Sequence, residues 1–198
     1  WITQSNCCLA HKIKGRLYVA LFLRLLNIDM SIVIWFNGPS QKDLVQTLPR
    51  QPIEIGCNYI EKLRPVDAVA AFDIGVVEQI KMQEGVEYYT RSDAQMPNWN
   101  IIVNQIVSGG NSGVLACWGA VEKYPQQPVY ILGCDWGIND VSSFDHIYQT
   151  GPRRKYTTHS KKKIENLFKN WEVYVVHDGN PDVSLPVMKK DNFLQLIQ

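Results

Sequence analysis

The apolar run Ile32–Phe36 breaks into Asn37-Gly38-Pro39-Ser40, residue types that together suit recognition of a phosphate or a sugar. The Asn37 amide both donates and accepts, matching ribose, base edges or sugar hydroxyls. Gly38 lets the backbone approach a ligand closely, and Pro39 fixes the turn. Ser40 is expected to cap a following helix, whose N-terminus would attract an anion. Asn58 offers a second amide, and Asn111-Ser112-Gly113 offers a side-chain amide, a hydroxyl and free backbone N–H groups at a helix start. His159, in Tyr156-Thr157-Thr158-His159, has the side chain best suited to take a proton from a hydroxyl near neutral pH. Each signal also has an ordinary reading: a plain strand-to-helix turn, a cap, or a histidine that packs at a helix start.

What gives these residues weight is the order of elements that must hold them. Strands are expected at Ile32–Phe36, Ile53–Gly56, Ala68–Phe72, Tyr88–Thr90, Ile101–Val103, Val129–Leu132 and Val173–Val176. Val114, Trp118 and Val121 share one helical face and predict a helix from Ser112 to Lys123. Ile164, Leu167, Phe168 and Trp171 predict another, capped by Ser160, with Lys161-Lys162-Lys163 turned to solvent. Strands alternating with helices predict an α/β fold with a doubly wound, mostly parallel sheet. Such sheets bind ligands at the carboxyl ends of their strands. Asn37–Ser40, Asn58, Asp73, Ser108–Gly113 and Asp135 all fall on that edge. One polar residue after a strand is usually a cap; five such positions are harder to dismiss.

Composition sets further bounds. A chain of 198 residues, 45% hydrophobic and 20% charged, suits one globular domain. The formal net charge is +1, of which residues 1–29 hold +3, so residues 30–198 carry −2 and form no electrostatic surface for nucleic acid. The apolar run Leu17–Leu26 is broken by Arg24 and is too short to span a membrane. Residues 1–29 are read as an N-terminal extension from an upstream reading frame, with Met30 as the natural start of the 30–198 domain; an appended amphipathic helix is the alternative. Cys7, Cys8, Cys57, Cys117 and Cys134 show no zinc spacing, and three of them read as small core residues of a reduced, cytoplasmic protein. Asp140, Asp145 and His146 read as solvated loop residues rather than a cation site, and His146 and His177 as surface or loop histidines. Trp99 and Trp136 could stack on sugars but read first as core.

Several motifs are missing. No Gly-Lys-Ser/Thr, no G-x-G-x-x-G, no Asp-x-Asp and no Gly-x-Ser-x-Gly occurs. The collinear set that is present, Asn37–Ser40, Cys57-Asn58, Ser112–Val114, Gly133–Asp135 and Tyr156–Ser160, resembles the bacterial sialyltransferases of glycosyltransferase family 42 and spans residues 31–176. The resemblance implies a single Rossmann-like domain with a short lid near 137–158, using a CMP-sugar donor and no metal or other cofactor. It implies that Asn37, Gly38 and Ser40 lie along the CMP phosphate and ribose and that Asn58 and Ser112 contact the donor; Pro39, Asp73, Asn111, Gly113 and Asp135, by their place on the same edge, are read as further donor-site residues. His159 would be the general base, with Tyr156 beside the departing phosphate. Gly137 stands where the family has a tyrosine; Phe144 or Tyr148 falls near its second lid tyrosine, and Arg153, Arg154 or Lys155 is the candidate to supply the missing phosphate contact. The implied partners are a nucleotide sugar and a glycan acceptor; peripheral membrane association and homo-oligomerisation stay open. The alternatives are a pterin pyrophosphokinase-like relative, a flagellin-glycosylation protein sharing the Gly-Pro-Ser opening, and a non-catalytic nucleotide- or sugar-binding domain.

Overall fold

The structure, a computed structural model, describes residues 30–91, 99–102, 110–136, 144–146, 149–154 and 158–197, and for 100–102, 144–146, 149–154 and 158–159 the backbone alone. Residues 1–29 lie outside the described part. Strand β1 (Ile32–Trp35) is buried at every position, so its uninterrupted apolar sequence serves two covered faces. It pairs in parallel with β2 (Ile53–Cys57) on one side and β6 (Val129–Leu132) on the other, Ile32 standing level with Ile53 and Val129. Beyond β2 come β3 (Ala68–Ala70), β4 (Glu87–Arg91) and β5 (Asn100–Ile102); beyond β6 come β9 (Val173–Val176) and β10 (Val187–Met188). The resulting eight-stranded sheet, in the order β10-β9-β6-β1-β2-β3-β4-β5, is parallel at every pairing. Strands β7 (Phe144–His146) and β8 (Gln149–Arg154) form a separate antiparallel pair within the expected lid segment.

Both faces of the sheet are covered, as a doubly wound fold requires. Ile32, Ile34 and Phe36 pack in a core that includes Val114, Leu115 and Cys117 of α3 (Ser112–Lys123) and Ile164 of α4 (Thr158–Leu167). Val33 and Trp35, on the other side, meet Leu44 and Val45 of α1 (Leu44–Thr47), Val77 of α2 (Ile74–Val77) and Phe193 of α5 (Lys190–Leu196). Each fully buried aliphatic or aromatic side chain of this kind stabilises the fold by about 1.5–3 kcal/mol. Cys57, Cys117 and Cys134 are buried free thiols in the first core, and desolvation pushes each of them far up from the ordinary thiol range. They are packing residues, as expected. Trp99 and Trp136 are core too: Trp99 tilts against Tyr88 and Trp136 against Phe36. Among the described residues no helix is long and apolar enough to cross a membrane.

One buried charge organises the outer side of β1 and β2. Glu54 is 0% exposed, and its carboxylate accepts from Trp35 Nε1 at 2.9 Å, from Gln51 N at 2.7 Å and from Arg64 Nη2 at 2.7 Å. Arg64 Nε also sits 2.7 Å from Glu54 Oε2, in charge contact but off the line of a hydrogen bond. The guanidinium lies over the Trp35 ring, 4.4 Å from its centre, while Nη1 donates to Val45 O at 3.1 Å. Because every partner is supplied, the carboxylate is tolerated inside. Arg50, 40% exposed, adds contacts to Glu54 at 3.3 Å and Asp67 at 2.7 Å. Substituting Arg64→Met should therefore cost about 3–5 kcal/mol in urea unfolding, since it leaves the buried carboxylate with only the half-exposed Arg50 as a cation. Arg50→Met, at a solvent-screened site, should cost no more than about 1 kcal/mol in the same measurement.

Candidate functional site

The chain builds the sheet outward from β1 to β5, then returns through α3 to β6 on the opposite side of β1. Strand order therefore reverses between β1 and β6, and the carboxyl ends of these two strands flank the crevice where such sheets take ligands. Here they come very close. Phe36 N donates to Leu132 O at 2.8 Å and Gly38 N to Gly133 O at 3.0 Å. A Cβ on Gly38 would stand 2.3 Å from Gly133 O and 2.6 Å from the Asp135 carboxylate, so only glycine fits. Gly133, at φ +73, adopts a left-handed conformation that lets the chain turn toward Asp135. The Gln41 side-chain amide donates to Phe36 O, closing the loop from within.

Ser40 does not cap a helix, contrary to the sequence expectation. Gly38 holds the cap position without a side-chain bond, Pro39–Gln41 forms a single 3-10 turn, and α1 beyond it is only four residues long. So short an element gathers little dipole, and the turn is held by a different device. Asp135 Oδ2 accepts from Ser40 N at 2.8 Å. The Ser40 hydroxyl, Asn37 Oδ1, Gln41 Oε1 and Asp135 Oδ1 are buried and make no hydrogen bond to the described residues.

The second group of expected residues converges beside the first. Asn58 sits at φ +53, a left-handed position that asparagine tolerates better than most residues. Its Oδ1 accepts from the Ser112 hydroxyl at 2.6 Å, and the same hydroxyl accepts from Phe72 N at 3.1 Å. Ser112 thus ties the ends of β2 and β3 to the start of α3. Asn111 caps α3, its Oδ1 accepting from Val114 N at 3.1 Å. Gly113 is small because a Cβ there would stand 2.7 Å from the Phe36 ring. The donor of Ser112 and the acceptor of Asn58 are spent on each other, which leaves the Asn58 amide NH2 and the first N–H groups of α3 to meet a ligand. Asp73 heads α2 after β3, with its backbone carbonyl accepting from Val76 N and Val77 N.

Other expected residues fall in different settings. His159 is the second residue of α4, which begins at Thr158, and Ser160 is a buried residue inside that helix rather than its cap. Because α4 leads directly into β9, which is parallel to β6, its N-terminus faces the carboxyl edge of the sheet. Arg153 and Arg154 are on β8, where Arg154 pairs with Phe144. Strand β7 comes within 8 Å, Cα to Cα, of the Pro39–Gln41 turn. Tyr148 and Tyr156 lie outside the described residues. Among the described residues no group of three or more His, Cys, Asp or Glu could hold a metal ion.

Two residues escape a reading of the sequence. Arg91 ends β4 with its guanidinium over the Phe72 ring, 5.1 Å from the centre, bringing a cation to the edge that Ser112 occupies. His177 directly follows β9 and is 6% exposed, not a surface histidine. Its Nδ1 accepts from Gly179 N at 2.7 Å, and its Nε2 lies 3.3 Å from Asp135 Oδ1, near it but off the line of a hydrogen bond. The rule that points to Asn58 and Asp135, a polar residue just past a strand, applies equally to both. Compared with family models, curated proteins and solved structures, the chain matches none.

The close approach of β1 and β6 is directly testable. Gly38→Ala should lower stability by about 1–3 kcal/mol, because backbone and carboxylate must both move. Gly75→Ala, in α2 with nothing within 4 Å of its added Cβ, should be neutral or stabilising in the same urea titration.

Proposed function

We propose that the protein is a metal-independent glycosyltransferase of sialyltransferase type, transferring a sugar with inversion from a CMP-activated donor to an acceptor hydroxyl in the cytoplasm. The observation that carries the reading is the convergence on one edge of the β1 turn, Asp135, the Asn58–Ser112 pair and the N-termini of α3 and α4. Those elements supply what such a transfer needs. The N–H groups of α3, with Arg91 nearby, favour the negative charge that develops on the departing phosphate. The amide of Asn37 suits ribose. His159 takes the proton of the acceptor hydroxyl as its oxygen bonds to the anomeric carbon, and the carbon–phosphate-oxygen bond breaks with its electron pair leaving on CMP. The Asn58–Ser112 bond favours a second reading, a non-catalytic nucleotide- or sugar-binding domain, because it commits the Ser112 hydroxyl proton within the protein and leaves the Asn58 NH2 as a donor for binding alone.

Calorimetric titration of the full chain with CMP, UDP, GDP and ATP, each with and without EDTA, tests the first step. Selective binding of CMP that EDTA leaves unchanged is the expected result. Preference for ATP with magnesium would replace the reading with a pyrophosphokinase-like one, and no nucleotide binding would remove it. Where CMP binds, His159→Ala should lower turnover with a CMP-sugar by about 10²-fold or more while CMP affinity holds. A binding domain would show no turnover to lose.

A further inference from the structure

We infer that His177 is a positioning residue for the nucleotide turn, holding Asn37–Ser40 in place through Asp135. The inference rests on the ligand site proposed above for its functional meaning, and on the contacts themselves for its geometry. Strands β6 and β9 are neighbours with Leu132 level with Val176, so the residues just past them, Gly133–Asp135 and His177, emerge side by side. His177 is anchored from its own side: its backbone N donates to Met188 O at 2.9 Å and its Nδ1 accepts from Gly179 N at 2.7 Å. An Nδ1 that accepts has a free lone pair, so the ring proton belongs on Nε2. That is the nitrogen 3.3 Å from Asp135 Oδ1, and the other carboxylate oxygen accepts from Ser40 N at 2.8 Å.

A line of contacts thus runs from β9 through the Asp135 carboxylate to the turn after β1. Asp135 and His177 are each 6% exposed, so the carboxylate is largely shielded from water, and the imidazole edge, 3.3 Å from Oδ1 though off the line of a hydrogen bond, is packed against it. With Nδ1 bonded to Gly179 N and Nε2 facing a carboxylate, His177 is poorly placed to be a proton acceptor for substrate. Its effect passes through Asp135, and the lack of room at Gly38, 2.6 Å from the carboxylate for any added carbon, makes the turn sensitive to where that carboxylate stands.

The test uses the full chain and three variants, His177→Phe, His177→Gln and Asp135→Asn. Nitrogen NMR of the wild-type imidazole should show the proton on Nε2 and not on Nδ1; the opposite tautomer overturns the inference without any variant. In hydrogen exchange, His177→Phe and Asp135→Asn should each speed exchange at the Ser40 amide about tenfold or more relative to β1 amides, and His177→Gln, which keeps an N–H donor, should restore it to within about threefold. CMP affinity should change in the same order, with a loss of about tenfold in His177→Phe, the size of a lost polar contact to a charged group. Unchanged Ser40 exchange in His177→Phe, with loss in Asp135→Asn, would overturn the role of His177. If the wild type binds no CMP, the nucleotide reading fails separately, and Ser40 exchange together with the tautomer decides whether His177 holds the turn.

Discussion

The ends of β1 and β6 are joined by two backbone hydrogen bonds, Phe36 N to Leu132 O and Gly38 N to Gly133 O, the second in a space that admits no side chain on Gly38. Most of what the carboxyl edge can do depends on that approach. It brings the chain leaving β1 under the chain leaving β6, so that Asp135 can accept from Ser40 N and fix a turn that has no helix of useful length behind it. It also sets Phe36 against the start of α3, where Gly113 makes room for the ring. A change at Gly38 or Gly133 would act on the turn and on this contact at once.

The two ends of the central strands are built on opposite principles. On the outer side of β1 and β2, the buried Glu54 carboxylate accepts from Arg64, Trp35 and Gln51. Such a network ties β1 to β2 through the Trp35–Glu54 bond. At the carboxyl edge, Asn37, Ser40, Gln41 and Asp135 each keep a buried oxygen without a partner among the described residues. A folded chain seldom leaves such groups unanswered, and each one calls for an explanation. Stability is concentrated in one place and chemical opportunity in another.

Much of this is legible in the chain itself. Val129–Leu132, Val173–Val176 and the helix Ser112–Lys123 stand where the apolar spacing predicts, because burial on both faces of a parallel sheet writes itself as an unbroken apolar run and a helix face as a repeat. The parallel order and the ligand edge come from the alternation of strands and helices. Ser40 misleads because a serine after a Gly-Pro looks the same before a long helix and before a single 3-10 turn; packing decides how far the helical backbone continues. The start of α4 lies ahead of Ser160 for a related reason, since Ser160 is buried by tertiary contact and not by its own spacing. His177 and Glu54 are hidden for a deeper cause. A polar residue becomes a buried one only when its partner arrives, and the partners here, Asp135 and Arg64, come from other elements.

The unanswered oxygens also bear on how binding and folding are linked. A buried acceptor without a donor costs about 1–3 kcal/mol, and the turn after β1 contributes three of the four found at the edge. A ligand that presents hydroxyl or amide donors to them would remove part of that cost, so it would bind the ordered turn in preference to a loosened one and stabilise the fold as it bound. The Ser40–Asp135 bond then acts as a conditional fastening. It fixes the turn, and a ligand of the proposed kind would complete hydrogen bonding that the described residues leave open. The Glu54 network keeps the strands beneath in place throughout, which lets the edge carry unsatisfied groups without loosening the sheet.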